Sequence, residues 1–345
     1  MKALVTALGA RSPVGLNAEQ TAFGIRNGYL VPRRTPFRDH HGEAVGMSFC
    51  AALADDLLGK DRMVELAAGA LEECVARDRG APAAKGEKTV VLLGCPSPRP
   101  GFDGNDGRDV LQRVVRASHV DACPERSTAF AVGHAGFALA LARALEVLRG
   151  GQAGAVLVGA VDTHFDEAAV THFSEQERIL SMRTTDGFLP GEGAAFVALR
   201  GVRAQLAPDF GQITWAASAL EETVAQGLPN LARAATDLLD RAAQSRGPHA
   251  GSPVGWYLRT VNRERQRARE DQFVGARLGR LLEDTELDEL AGRIGDAGAA
   301  SGALLAVYVS QGFASGYAPA RTAVVSLSSD GPERGAFVMS GGDRS

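Results

Sequence analysis

The 345-residue chain is predicted to fold as a layered α/β protein made of two duplicated halves. Strand-like apolar runs alternate with helical segments along its length. A motif also recurs: Gly133-His134-Ala135-Gly136 opens a small-residue helix reaching about Gly150. Gly295-Asp296-Ala297-Gly298, 162 residues later, opens a similar helix reaching about Gly312. Both helices are apolar nearly all round, through Phe137, Leu139, Leu141, Leu145 and Val147 in one and Leu304, Leu305, Val307 and Val309 in the other. A helix without a polar face is buried on every side, so the pair belongs between sheets, with other helices outside.

The remaining elements follow in order. Residues 3–8 read as a buried strand, after which Asn17 caps an amphipathic segment ending near Asn27. Residues 31–46, with Pro32, Pro36 and Gly42, read as a loop. Residues 61–77 carry helical spacing through Val64, Ala68, Leu71 and Val75, and 79–87 form a Gly/Ala/Pro/Lys connector. The apolar run 89–93 suits a strand covered on both faces, and 95–107 read as a loop. Each repeated helix is followed by a strand, at 155–158 and 323–327. Each half closes on a matching one, Gly193-Ala194-Ala195-Phe196-Val197 and Gly335-Ala336-Phe337-Val338. The halves divide near residue 200, as 1–200 and 201–345 of one interlocked unit.

Composition narrows the function. With 45% hydrophobic residues the chain can bury a large core, and its net charge of −4 gives no field favouring nucleic acid or an anionic membrane. Cys50, Cys74, Cys95 and Cys123 lack metal-ligand spacing, and unclustered thiols suit a reducing compartment. No leader-like start and no long apolar run is present, so a cytoplasmic protein without metal or cofactor is expected.

Several stretches resemble the β-ketoacyl-ACP synthases of the thiolase superfamily. Val5-Thr6-Ala7-Leu8-Gly9-Ala10-Arg11-Ser12-Pro13-Val14-Gly15 resembles their opening, and Gly151 through Val158 to Gly159-Ala160-Val161-Asp162 resembles the strand after their nucleophile helix. Asp186-Gly187-Phe188-Leu189-Pro190-Gly191-Glu192-Gly193-Ala194-Ala195 resembles their DGFVxGEGA signature, whose carboxylates are expected to be buried and structural. The resemblance implies the five-layered αβαβα thiolase fold. It also implies dimerisation, as homodimer or heterodimer, through the strand at about 126–132.

The resembling enzymes form an acyl thioester on a Cys at the tip of the first buried helix and use two His in the second half. Here the Cys position falls on His134, the first His position near Thr260, and the second on Arg293, or on Gly295 in the alternative register. No His follows His249 and no Lys follows Lys88. Ser326-Leu327-Ser328-Ser329-Asp330-Gly331 stands in place of the family's GFGGTN-type loop. Condensation is therefore not expected.

His134 reads as a filler, as a ligand contact in a residual tunnel together with Arg293 and Ser329, or as a base in other chemistry. Arg293 reads as an ion-pair former or as a plug in the old pocket. The charged run 259–271 and the cluster Arg33, Arg34 and Arg38 read as solvated faces or as contacts for an acidic partner such as an acyl carrier protein. The expected role is a scaffold, a chain-length-factor-like subunit beside an active synthase, or an adaptor for a secretion effector such as those of type VI systems. Altered thioester chemistry at His134, and acyl-CoA or carrier-protein binding without turnover, remain alternatives.

Overall fold

Strand β1 (Ala3–Arg11) is an apolar run buried over all but its last residue, and Asn17 then starts helix α1 (Ala18–Asn27). The Asn17 side chain accepts from the Gln20 N–H at 2.8 Å, satisfying one of the orphan donors of the first turn, and Gly28 closes the helix in the left-handed region. The computed structural model describes residues 2–28, 30, 32–78, 89–201 and 209–342; the connector expected at 79–87 lies outside them.

The segment expected as a loop instead forms a hairpin, β2 (Arg33–Arg38) and β3 (Ala44–Met47). Thr35 and Phe37 point inward while Pro36 stands on the exposed face, so the breaker residues mark an edge strand and a turn. The rest of the first half comprises α2 (Gly59–Arg77), β4 (Val90–Cys95), α3 (Asp106–Ala117), β5 (Thr128–Ala131), α4 (Gly136–Arg149), β6 (Ala155–Thr163), α5 (Glu167–Glu175) and β7 (Glu192–Gly201). The second half runs β8 (Gln212–Leu220), α6 (Glu222–Ala225), α7 (Arg233–Gln244), β9 (Trp256–Arg259), α8 (Arg265–Leu278), β10 (Glu286–Glu289), α9 (Ala291–Ile294), α10 (Ser301–Ser315), β11 (Thr322–Ser328) and β12 (Glu333–Ser340).

Strand order shows the duplication. The first half runs β1-β7-β6-β4-β5 and the second β8-β12-β11-β9-β10, joined where β1 meets β8 at Ala3↔Ile213 and Leu4↔Gln212. Parallel pairs (Val90↔Val156, Val324↔Tyr257) make up the outer part of each half, away from the join, as crossover helices require. Helices α4 and α10 each touch strands of both halves; α2 packs on β1 and β7, and α7 packs on β12 and β8. The layers are thus helix, sheet, helix, sheet, helix, which is the thiolase-type αβαβα arrangement. Phe137 on α4 meets Phe337 of β12 edge-on at 5.6 Å, and burying each such side chain contributes about 1.5–3 kcal/mol.

The repeat is displaced by one helical turn from the sequence motif. Gly133, at φ +70, begins the 3-10 turn leading into α4, and Gly298, at φ +53, begins the turn leading into α10. Gly298, not Gly295, is therefore the counterpart of Gly133. Residues 295–297 are used up crossing from α9, where Gly191 N–H donates to the Asp296 carbonyl at 2.9 Å.

A candidate polar cavity at the tip of the first buried helix

The two buried helices are capped across the halves. The Ala135 N–H donates to Ser329 Oγ, just beyond β11, at 3.0 Å. The Ala299 N–H donates to Asp162 Oδ2, at the end of β6, at 2.9 Å. First-turn N–H groups have no partner within their own helix, so each half satisfies the other's. The Ser329 hydroxyl donates onward to the Val132 carbonyl, and Asp162 also holds Arg99 at 2.6 Å.

His134 sits in the turn at the tip of α4, buried, with Nε2 2.9 Å from Asp296 Oδ1. Asp296 also accepts from Gly298 N–H at 2.9 Å and from Asn262 Nδ2 at 2.7 Å. Burial pushes the Asp296 carboxyl up, but His134 and, less strongly, Arg267 and His164 outweigh this and hold it well below the usual carboxylate range. An ionised carboxylate only accepts, so Nε2 of His134 carries a proton and donates to Asp296.

A cavity of about 230 Å³ opens beside His134, lined by His164, His172, Arg99, Arg178 and Asp296 among others. His164 is fixed by its position: the Gly191 carbonyl, 2.9 Å from Nδ1, can only accept, so Nδ1 carries the proton and Nε2 is bare. The ring is wedged between Phe173 and Phe188, at 5.5 and 5.3 Å. Burial, then Arg99, lowers its pKa despite the neighbouring carboxylates.

The sign of the resulting pH dependence follows. The unfolded chain takes up a proton on this residue near its ordinary value of 6.5, while the folded chain takes it up only at lower pH. Stability from this residue is present above about pH 6.5 and is lost as pH falls toward the depressed folded value, at up to ~1.4 kcal/mol per pH unit. Replacing His164 by Phe should flatten that part of the stability–pH curve, measured by urea unfolding at pH 7.5 and pH 5. An unchanged slope would show that His164 does not carry it.

The sequence-expected residues are not all brought together. His134 lines the cavity and Ser329 caps its turn. Thr260 is buried behind β9, accepts from Ser328 N–H at 3.1 Å, and borders a separate void of about 20 Å³, room for about one water. Arg293 does not plug the pocket: on α9 it binds the Asp288 carboxylate and donates to the Ile25 carbonyl at 3.0 Å, tying α9 to α1. The partners that meet His134 are Asp296 and, one bond further, Asn262. The only signal for Asp296 was its place in the repeated glycine motif. Arg99, His164 and Arg178 carried none beyond being polar near apolar runs.

Two further expectations change. Glu192 is fully buried as expected, but Asp186 is exposed; its carboxylate accepts from Arg265 N–H at 2.7 Å, serving the exposed start of α8. The run 259–271 is not simply a solvated face. Arg267 is buried against Asp330 at 2.7 Å and Glu270 is buried against Arg334, since α8 packs that side on the second-half sheet. The cluster Arg33, Arg34 and Arg38 is exposed on β2.

Cys50, Cys74 and Cys95 are buried, with their thiols pushed up chiefly by burial, and none of the four cysteines lines the cavity. Thiolate is the nucleophilic form, so these three are poor nucleophiles. No group of metal-ligating side chains and no helix long and apolar enough to cross a membrane occurs among the described residues.

No protein-family model and no curated protein matches the chain. Solved structures match its fold over nearly the whole length. One is a type II polyketide acyl-carrier protein in complex with its ketosynthase bound to the hexaketide, AntDE:AntF, at 17% identity and TM-score 0.75, covering 99% of both chains. Another is the ishigamide ketosynthase/chain length factor, at 18% identity and TM-score 0.74, covering 99% of both. A third is the oxazolomycin ketosynthase domain OzmH of Streptomyces albus JA3453, at 14% identity and TM-score 0.76, covering 100% of this chain and 76% of that one. The chain therefore has the ketosynthase fold of the thiolase class.

Proposed function

We propose that this ketosynthase-fold protein does not condense acyl units and acts instead as a partner subunit, in the manner of a chain length factor. One observation carries the reading: the helix tip that must present a thiolate presents His134, bonded to Asp296. An imidazole paired in this way cannot form the acyl thioester on which condensation depends. The solved ketosynthase/chain length factor and the ketosynthase with its acyl-carrier protein make association of this fold with protein partners a natural use. The partner is then an active synthase, an acyl carrier protein or, for an adaptor role, a secretion effector. Strand β5 ends the sheet and pairs along one side with β4, so its outer edge is the expected seam for a homodimer or heterodimer.

The test is incubation of the purified chain with malonyl- and acyl-thioesters, followed by intact mass spectrometry and product analysis. No acyl adduct and no elongated product is expected, while tagged chain should retain a synthase, carrier protein or effector from its own cells. An adduct that is elongated overturns the proposal.

A second reading has its own support. Asp296 orients His134 as a carboxylate orients a general base, and the cavity beside it has room for water and a short substrate. Thioester hydrolysis or decarboxylation would appear in the same incubation as free acid or carbon dioxide. Binding of acyl-CoA or carrier protein without turnover would leave the thioester intact but retained.

A further inference from the structure

We propose that the outer face of α8, continued through Arg280, is a docking surface for an acidic helix of a partner protein. This rests on the partner-subunit reading and gives the chemistry of one contact. Its basis is how α8 sorts its charges. The helix carries two carboxylates, and both are spent within the fold. Glu270 is buried against Arg334, and Asp271 is held by Arg259. Arg267 also turns inward, onto Asp330 at 2.7 Å. The other arginines stand outside. Arg265, Arg269 and Arg277 are exposed, and so is Arg280 in the 3-10 turn that follows. Steps of three and four residues put Arg265, Arg269, Gln272, Ala276 and Arg280 on one stripe.

Little in the chain balances this stripe. Arg269, Arg277 and Arg280 form no ion pair among the described residues, and Arg265 meets only the exposed Asp186, at 3.6 Å. Arg277 donates to the Leu231 carbonyl at 2.7 Å and to the Thr236 hydroxyl at 3.2 Å, which fixes it without neutralising it. The neighbouring α7 carboxylate, Asp237, pairs with Arg241. The guanidinium groups of Arg269 and Arg277 lie 5.3 and 5.6 Å from the centre of the half-buried Phe273 ring. Two cations held on one ring without a carboxylate leave a positive field outside, in a chain whose net charge is −4. Because these side chains are already held, a partner loses less entropy in ordering them. Arginines around an aromatic ring are also the composition of interface hot spots.

The length of the stripe limits the occupant. At ~1.5 Å per residue, Arg265 to Arg280 spans about 22 Å, or about four helical turns. A helix lying along it presents carboxylates four residues apart at about 6 Å, which matches Arg265 and Arg269. Beyond either end the sign reverses. Glu177 and Asp186 flank Arg265, and Glu283, Asp284 and Glu286 follow Arg280, all exposed. A nucleic-acid strand or an anionic membrane would run on over those carboxylates, whereas an acidic helix of about four turns ends before them.

The test is fluorescence anisotropy of the full chain with a labelled, stapled helical peptide of about sixteen residues carrying glutamate at every fourth position. The peptide should bind saturably at about 50 mM salt and weaken at about 300 mM. Arg269→Gln/Arg277→Gln should weaken it about tenfold, while Arg33→Gln/Arg34→Gln, on the exposed hairpin strand β2, should change it by less than about twofold. Should the α8 variant misfold, Arg280→Gln alone, at an exposed position, should still weaken binding about threefold. No saturable binding, or equal weakening by the hairpin variant, overturns the proposal. So does tighter binding of a single-stranded oligonucleotide or of phosphatidylserine vesicles, which would give the face to another class of partner. Failure here leaves the adduct assay untouched, and an elongated product there would overturn the partner-subunit reading whatever the peptide does.

Discussion

Replacing Arg62 by Leu should cost about 3–5 kcal/mol of folding stability, a large part of the ~5–15 kcal/mol that a folded protein possesses. Arg62 and Glu192 are fully buried and joined at 2.7 and 3.0 Å. Arg62 also donates to the carbonyls of Cys50 and Ala54 and lies 4.3 Å over the Phe165 ring. Glu192 further accepts from Cys50 N–H at 2.7 Å and from the Thr163 hydroxyl at 2.6 Å. Removing the guanidinium leaves a carboxylate with no countercharge in a dry interior, and this is what makes the loss large. The pair itself contributes less than that loss, because desolvating two charges offsets much of their attraction. The double variant Arg62→Leu/Glu192→Leu should therefore be markedly more stable than the sum of the two single losses implies. Urea unfolding midpoints at constant slope measure this. A single-variant loss below about 1 kcal/mol would contradict the burial of the pair.

Asp296→Ala is the second large effect. It strips the acceptor from three buried donors at once, His134 Nε2, Gly298 N–H and Asn262 Nδ2. At ~1–3 kcal/mol per unsatisfied buried group, partly relieved by water entering from the cavity, a loss of about 3–6 kcal/mol is expected. Asp296→Asn should lose less, since its amide oxygen still accepts on one side while its NH2 opposes a donor on the other. The two variants separate the charge from the hydrogen bonds: equal losses would mean that the ionised form of Asp296 carries the effect and that the hydrogen bonds the amide keeps contribute nothing. Because Asp296 lies in the approach to α10 and His134 in the approach to α4, hydrogen exchange should rise at both helix tips in Asp296→Ala and stay unchanged at the far end of α2.

Much of the architecture was legible along the chain. Alternating apolar runs and helical spacing report burial through local periodicity, so the strand at the start, the Asn17 cap and the two helices without a polar face could be read directly. The hairpin at Arg33–Met47 was missed because Pro36 and Gly42 outweighed a short alternation carried by Thr35, Phe37, Val45 and Met47. The repeat was seen one turn out of place because glycine motifs recur wherever the backbone turns sharply, and Gly295 and Gly298 both sit at positive φ.

By itself the amino-acid sequence determined the order of elements, the duplication, the two interior helices and the place of His134 at the tip of the first of them. Only the tertiary structure decided who meets whom. It paired Arg62 with Glu192, set Asp296 and Asn262 behind His134, and left Arg293 on a helix–helix tie. The physical reason is the range of the two signals. Hydrophobic periodicity is written within a few residues, whereas a buried charge is tolerated only because a partner from a distant segment folds against it, and nothing local names that partner.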